Sequence, residues 1–193
     1  MNAKDSCLTF HEYYDLATEL CRNYAKEEHK IDLNIFQFVK ISSRKKQYSL
    51  IPVASSLKNY DPRLPLCIFA RENITVTPNG DVYPCTPSPG VYRAGGLQFG
   101  NVFEQGLKPR LQDGAFLSMQ CKGVHAIEEH DPKCGACKYF KHCTGGCRLS
   151  AYALCKDSLA HDPSKCVFFE ERYDKKLEGV LPGYECMNPV EVI

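Results

Sequence analysis

The chain has 193 residues, 44% of them hydrophobic, and a formal net charge of +1. That length can bury a core without covalent staples, and the near-neutral charge argues against nucleic acid or an anionic membrane as the main partner. No stretch approaches the roughly 20 apolar residues of a membrane span. The opening MNAKDSCLTF has no export-signal core, so the 12 cysteines point to reduced thiols and metal in a cytoplasmic protein, not to disulfides.

In chain order, Thr9 to Glu12 (TFHE) forms a capping-box pattern, with Thr9 as N-cap and Glu12 three positions on. Phe10, Tyr13, Tyr14, Ala17, Leu20, Cys21 and Tyr24 follow at helical spacing and predict an amphipathic helix ending near Lys26 to His29. Cys7 and Cys21 read as ordinary thiols, Cys21 on the apolar face of that helix. Ile31, Leu33 and Ile35 alternate ahead of Phe36, Phe38 and Val39, a pattern expected of one largely buried strand. One helix and one strand cannot cover both of their faces, so this αβ unit must pack on something else. Ser42 to Lys46 is a short basic loop, and Asn59 to Pro62 followed by Pro65 breaks regular structure. The expected domains are therefore 1–60 and 61–193.

The second region is organised by cysteines. Cys67 precedes a hairpin in which Asn73 to Thr77 and Val82 to Tyr83 flank the turn sequence PNGD, which brings Cys85 back toward Cys67. Taken alone, this hairpin with an incidental thiol is the plainer reading. Thr86 to Gly100 reads as a Pro/Gly-rich loop, and Asn101 to Leu107 as a short helix capped by Asn101. Cys134, Cys137, Cys143 and Cys147 follow at C-x2-C-x5-C-x3-C, and Cys166 closes the set after 18 further residues. Core packing has no use for four cysteines so close together, whereas a metal site does. Gly145 and Gly146 permit a sharp turn, which lets Cys147 face a different metal from the three thiols before it. Gly146 to Leu154 predicts a helix, and Phe168 to Leu177 a charged surface helix.

The thiols fall into two groups, Cys67 with Cys85, and Cys134, Cys137, Cys143 and Cys147 with Cys166. All-thiolate sets suit iron–sulfur clusters or zinc, and spacing alone leaves both open with iron–sulfur ahead. His142 offers itself as a zinc ligand, although a histidine between lysine and cysteine on a loop is expected to be solvated.

The ordered pattern of these seven cysteines, with Gly80 between the first two, resembles the SPASM domains of radical S-adenosylmethionine enzymes. The phrases PNGDVYPC, FGNVFEQGL, TGGCRLSAYAL and HDPSKC are similar to that family's text. The resemblance covers Cys67 to Cys166, and the helix and strand of residues 9–39 resemble the last αβ step of the radical enzyme's partial barrel. It implies an α+β fold, with the helix-strand unit followed by a small SPASM domain whose hairpin and short helices surround two metal clusters. It also implies two [4Fe-4S] clusters. Cys134, Cys137, Cys143 and Cys166 would hold auxiliary cluster II, and Cys67, Cys85 and Cys147 auxiliary cluster I. Where some members carry a further cysteine, this chain has Asn73, so the fourth position of cluster I is open or filled by Cys121, with Cys155 and Cys186 as weaker candidates.

No three cysteines here have the C-x3-C-x2-C spacing of a radical cluster. S-adenosylmethionine is therefore expected only in a separate radical core, encoded upstream or as another chain. The chain is then expected to be a C-terminal fragment, half of a split enzyme, or a free-standing cluster protein. The resemblance implies electron relay or substrate engagement in modification of a peptide, a protein or another substrate such as a tetrapyrrole precursor. The contrasting reading is a structural zinc or iron module that docks a partner without redox chemistry.

Overall fold

The computed structural model describes residues 7–28, 30–51, 60–67, 73–111 and 122–190. In chain order its elements begin with α1 (Phe10–Lys26), β1 (Leu33–Ile35), β2 (Val39–Ser42), β3 (Gln47–Leu50), β4 (Thr75–Val76) and β5 (Val82–Tyr83). The helices α2 (Ser88–Ala94), α3 (Val102–Gln105), α4 (Leu107–Leu111), α5 (His125–His130), α6 (Pro132–Gly135) and α7 (Phe140–Cys143) follow. α8 (Arg148–Cys155), α9 (Pro163–Glu170), α10 (Tyr173–Val180) and β6 (Glu185–Cys186) complete an α+β fold. The chain divides into two compact units, one of residues 1–60, 141–143 and 163–193, the other of residues 61–140 and 144–162. Residues 163–193, expected with the cysteine-rich region, thus group with residues 1–60.

In the first unit, α1 starts where the sequence places it. The Thr9 hydroxyl accepts from the Glu12 N–H, and the Glu12 carboxylate accepts from the Thr9 N–H at 2.8 Å. Such a reciprocal cap contributes about 1 kcal/mol. Tyr14, Ala17 and Cys21 form the buried face of α1, and burial pushes the Cys21 thiol up to about 12.

The single strand expected over residues 31–39 is instead a hairpin. β1 and β2 pair antiparallel, Leu33 opposite Ile41 and Ile35 opposite Val39, and Gln37 makes the reversal at φ 58°. Phe36 and Ile31 are exposed while Phe38 and Val39 are fully buried. The alternation was real, but the chain reverses in the middle of it. β3 adds antiparallel to β2, and β6 adds parallel to β3, giving the order β1-β2-β3-β6.

One charged surface helix was expected over residues 168–177. There are two helices, broken at Arg172 in the left-handed region, and Phe168, Phe169, Tyr173 and Leu177 are buried. The charges on this segment hide an apolar stripe that periodicity alone undervalues. Tyr14 meets Tyr173, Phe38 and Phe168 with ring centroids 5.0, 5.4 and 5.6 Å apart. Lys165 is fully buried beside them. Its ammonium donates to the carbonyls of Gln37 and Ile51 at 2.5 and 2.6 Å and lies 4.6 Å from the Phe168 ring centre. It therefore ties α9 to the turn after β1 and to the end of β3.

In the second unit, β4 and β5 form the expected hairpin, Thr75 opposite Tyr83 and Val76 opposite Val82. Gly80 turns it at φ 87°, where a Cβ would strike Phe103 and Asn101. Asn101 caps α3 by accepting from the Phe103 N–H at 2.9 Å. The expected loop over residues 86–100 contains α2, which begins with proline in its first turn. Helix forms there because Ser88 and Tyr92 have a core to enter: Tyr92, Val82, Tyr83 and Phe99 are buried together, with Leu149 and Tyr152 against them.

Lys165→Met should destabilise the first unit by about 2–3 kcal/mol, because the two carbonyls that it satisfies would be left buried and unpaired. Hydrogen exchange of amides in β2 and β3 would report this as loss of protection.

Candidate metal centre

The residues around Cys147 explain how the chain presents its thiol. α7 ends as Thr144 enters the left-handed region, and Gly145 and Gly146 follow at φ 79° and 78°. A Cβ on Gly145 would come within 2.7 Å of Ile127 and 2.8 Å of Arg148, so glycine is required by space as well as by angle. Arg148, 2% exposed, fills the inside of this turn. Its guanidinium donates to the carbonyls of Gly145, Gly146, Ser158 and Ala160, the last two at 2.9 and 2.8 Å. Asp162, equally buried, accepts the Cys147 N–H at 3.0 Å, and its own N–H donates to the Gly145 carbonyl. Cys147 is thus fixed as the first residue before α8, held by two loops at once.

Cys85 follows β5 and is fixed by Ser88, whose N–H and hydroxyl both donate to the Cys85 carbonyl. Cys67 lies just past a short ladder in which the Leu66 N–H donates to Lys122 and the Val124 N–H to Leu64. These three thiols share one neighbourhood. The Cys85 thiol is held above its ordinary range by burial first, partly offset by the Ser88 hydroxyl, and then by the nearby Cys147 and Cys67. Tyr92 senses the same group: burial raises its phenol, followed by Cys85, Cys147 and Cys67, while Arg148 pulls the other way.

Among the described residues, no three His, Cys, Asp or Glu side chains are already drawn up around one metal-sized point. The donor set still fits a thiophilic centre. The Cys85 thiol, raised in part by Cys147 and Cys67, would be relieved by a cation that takes it as a thiolate. The thiols of Cys67, Cys85 and Cys147 make a sulfur donor set, suited to iron–sulfur or zinc.

Cys134 is buried in α6 and Cys137 is exposed after it, its N–H donating to the Cys134 carbonyl at 3.1 Å. Both belong to the second unit, whereas Cys143, at the end of α7, and Cys166, in α9, belong to the first. Cys121 lies outside the described residues. Cys155 has its thiol 3.7 Å from the His161 carbonyl, and Cys186 packs by Tyr48 and Asn188 in the first unit. His142, expected in solvent, is fully buried within α7.

Sequence reasoning gave Asp162 and Arg148 no role beyond a turn and a helix start, and it did not single out Asp131 or Tyr92. Asp131 caps α6 through the Lys133 N–H at 2.9 Å and accepts from the His161 N–H and ring at 2.6 and 2.7 Å. Burial pushes the Asp131 carboxyl up, but those hydrogen bonds win and hold it below the ordinary range. The Asp-Pro start of α6 was visible as a helix signal; the distant partner was not.

Arg148→Ala should destabilise the second unit by about 2–4 kcal/mol, since several buried carbonyls lose their donor, and should speed alkylation of Cys147 in the metal-free protein. The Asp131 contribution, about 1–2 kcal/mol, should be complete above the unfolded carboxyl value near ~4. It should disappear as pH falls through the lowered folded value. Asp131→Asn, measured by urea unfolding between neutral and acid pH, should flatten that part of the acid loss.

Part of the chain is similar to known proteins. Residues 67–144 match SPASM, an iron–sulfur cluster-binding domain, a span that includes Cys67, Cys85, Cys134, Cys137 and Cys143. The PqqA peptide cyclase of Methylocella silvestris is 33% identical over 95 residues, which is 49% of this chain and 24% of that protein. The match thus covers about a quarter of the relative's length. No solved structure matches, and among the described residues no helix is long and apolar enough to cross a membrane. Residues 67–144 are thus similar to a SPASM iron–sulfur cluster-binding domain.

Proposed function

We propose that this chain carries two [4Fe-4S] clusters as the auxiliary-cluster part of a radical S-adenosylmethionine enzyme that modifies a peptide in the cytoplasm. Cys67, Cys85 and Cys147 would hold one cluster, with its fourth position open or filled by Cys121. Cys134, Cys137, Cys143 and Cys166 would hold the other. The observation that carries this reading is that Cys147 and Cys67, from separate segments of the chain, both help to raise the Cys85 thiol. The peptide substrate is suggested by the relative, a peptide cyclase. When bound, such clusters supply single-electron transfer, and an open iron supplies a site for substrate. The S-adenosylmethionine chemistry would belong to a radical core supplied upstream of these residues or as a separate chain.

The protein's own contribution is positional. The Thr144–Gly146 turn and the Arg148 guanidinium orient Cys147, Ser88 orients Cys85, and Tyr92, Phe99 and Tyr152 pack α2 against α8, the helices that follow those two cysteines.

Anaerobic reconstitution should give a brown protein with about eight iron and eight sulfide per chain. Cys85→Ala and Cys137→Ala should each remove about half of that iron, since they serve different clusters. A colourless protein with stoichiometric zinc would overturn the reading in favour of a structural metal module. Stripping the metal should cost the second unit more helix and protection than α1, because its apolar core is small; circular dichroism and hydrogen exchange would measure this.

A further inference from the structure

The first unit carries a cleft that the cluster chemistry does not use. Its volume is about 540 Å³, and it is lined by Glu28 and Lys30 after α1, by Ser43, Arg44 and Lys46 of the β2–β3 turn, and by the turn that ends in Tyr184. Backbone bonds hold its walls. The Lys46 carbonyl accepts the Glu185 N–H at 2.9 Å, and the Tyr184 N–H donates to the Leu181 carbonyl at 3.2 Å. Asp32 accepts the Ser43 N–H and hydroxyl at 2.8 and 3.1 Å, which fixes the start of the β2–β3 turn. The Lys30 ammonium lies 5.9 Å from the centre of the Tyr184 ring. The lining thus holds three cations and one carboxylate. Among the described residues, none of those three cations has an ion-pair partner. The neighbouring acids are already engaged: Glu185 accepts from the Gln47 amide at 3.3 Å. Ser43 holds the Asp32 carboxyl below its ordinary range, with Ser42 and Arg44 adding to it.

We propose that this cleft binds an acidic stretch of a peptide, with its carboxylates set against Lys30, Arg44 and Lys46. Like charges gathered around a cleft focus a positive potential there, and an anion relieves their repulsion. Carboxylates meet such cations through charge-assisted hydrogen bonds. Size argues for a chain rather than an ion. The cleft falls within the range of sites that enclose organic ligands, and one phosphate or carboxylate would leave most of it empty. Its cations also come from two separate segments, which suits charges spaced along an extended ligand. The acidic character follows from the cleft, and the choice of a peptide rests on the reading above.

The test is fluorescence anisotropy of a dye-labelled, glutamate-rich hexapeptide titrated with the full chain at low ionic strength. Saturable binding that weakens with added salt is expected. Lys30→Gln, Arg44→Gln and Lys46→Gln should each weaken it about two- to fivefold, and the triple variant by about tenfold or more. Arg44 and Lys46 are exposed, so their replacement leaves the fold intact. Lys40→Gln, on β2 and outside the lining, removes the same charge and should change nothing. No saturable binding, or equal losses from Lys40→Gln and Arg44→Gln, would overturn the proposal. So would displacement of the peptide by equimolar inorganic phosphate, the mark of a small-anion site, or tighter binding of a single-stranded oligonucleotide. Metal analysis of the same protein keeps the two readings apart. A chain that binds the peptide but takes up zinc alone overturns the cluster assignment and leaves the cleft standing. A chain that loads iron yet ignores the peptide overturns only the cleft.

Discussion

The buried guanidinium of Arg148 holds together the part of the chain on which the candidate centre depends. A charged side chain that is 2% exposed is stable only if its donors are met, and here carbonyls of two loops meet them. One loop is the left-handed turn that releases Cys147 from α7; the other, through Ser158 and Ala160, leads to Asp162. Asp162 then takes the Cys147 N–H, closing a ring of hydrogen bonds around one thiol. The two glycines make the turn sterically feasible, and the arginine makes it energetically stable.

A similar economy runs through the rest of the second unit. Asp131 caps the helix that bears Cys134 and also accepts from His161, the residue next to Asp162. Ser88 opens α2 and fixes Cys85. Cys134, Cys85 and Cys147 are therefore each positioned by a group that also begins a helix. Small domains with modest apolar cores rely on such shared groups, and metal ligation adds stability to the same elements. The first unit is built differently, around a cluster of aromatic rings with a buried lysine bonded to backbone carbonyls.

Much of this was legible in the residues. The capping box and periodicity of α1, the PNGD hairpin, the Asn101 cap and the seven-cysteine spacing are local patterns, and local patterns are set by backbone sterics and neighbouring side chains. The errors share a cause. Ile31 to Val39 alternates as a strand would, but burial selects Phe38 and Val39 and exposes Phe36, so the chain reverses at Gln37. Phe168 to Leu177 looks charged, yet its aromatic residues enter a core supplied by Tyr14 and Phe38 from more than a hundred residues earlier. His142 was assigned to solvent from its polar neighbours, although in α7 it is buried.

The sequence by itself determined the start of α1, the Asn101 cap, the PNGD hairpin, the thiol-rich chemistry and the SPASM likeness of residues 67–144, because each is written in spacing and short-range conformational preference. Only the tertiary structure decided that Cys147 and Cys67 help to raise the Cys85 thiol, and that Arg148 and Asp162 fix the turn and backbone at Cys147. Those outcomes depend on which distant segments bury one another's polar groups, and a buried donor or acceptor finds its partner through space rather than along the chain.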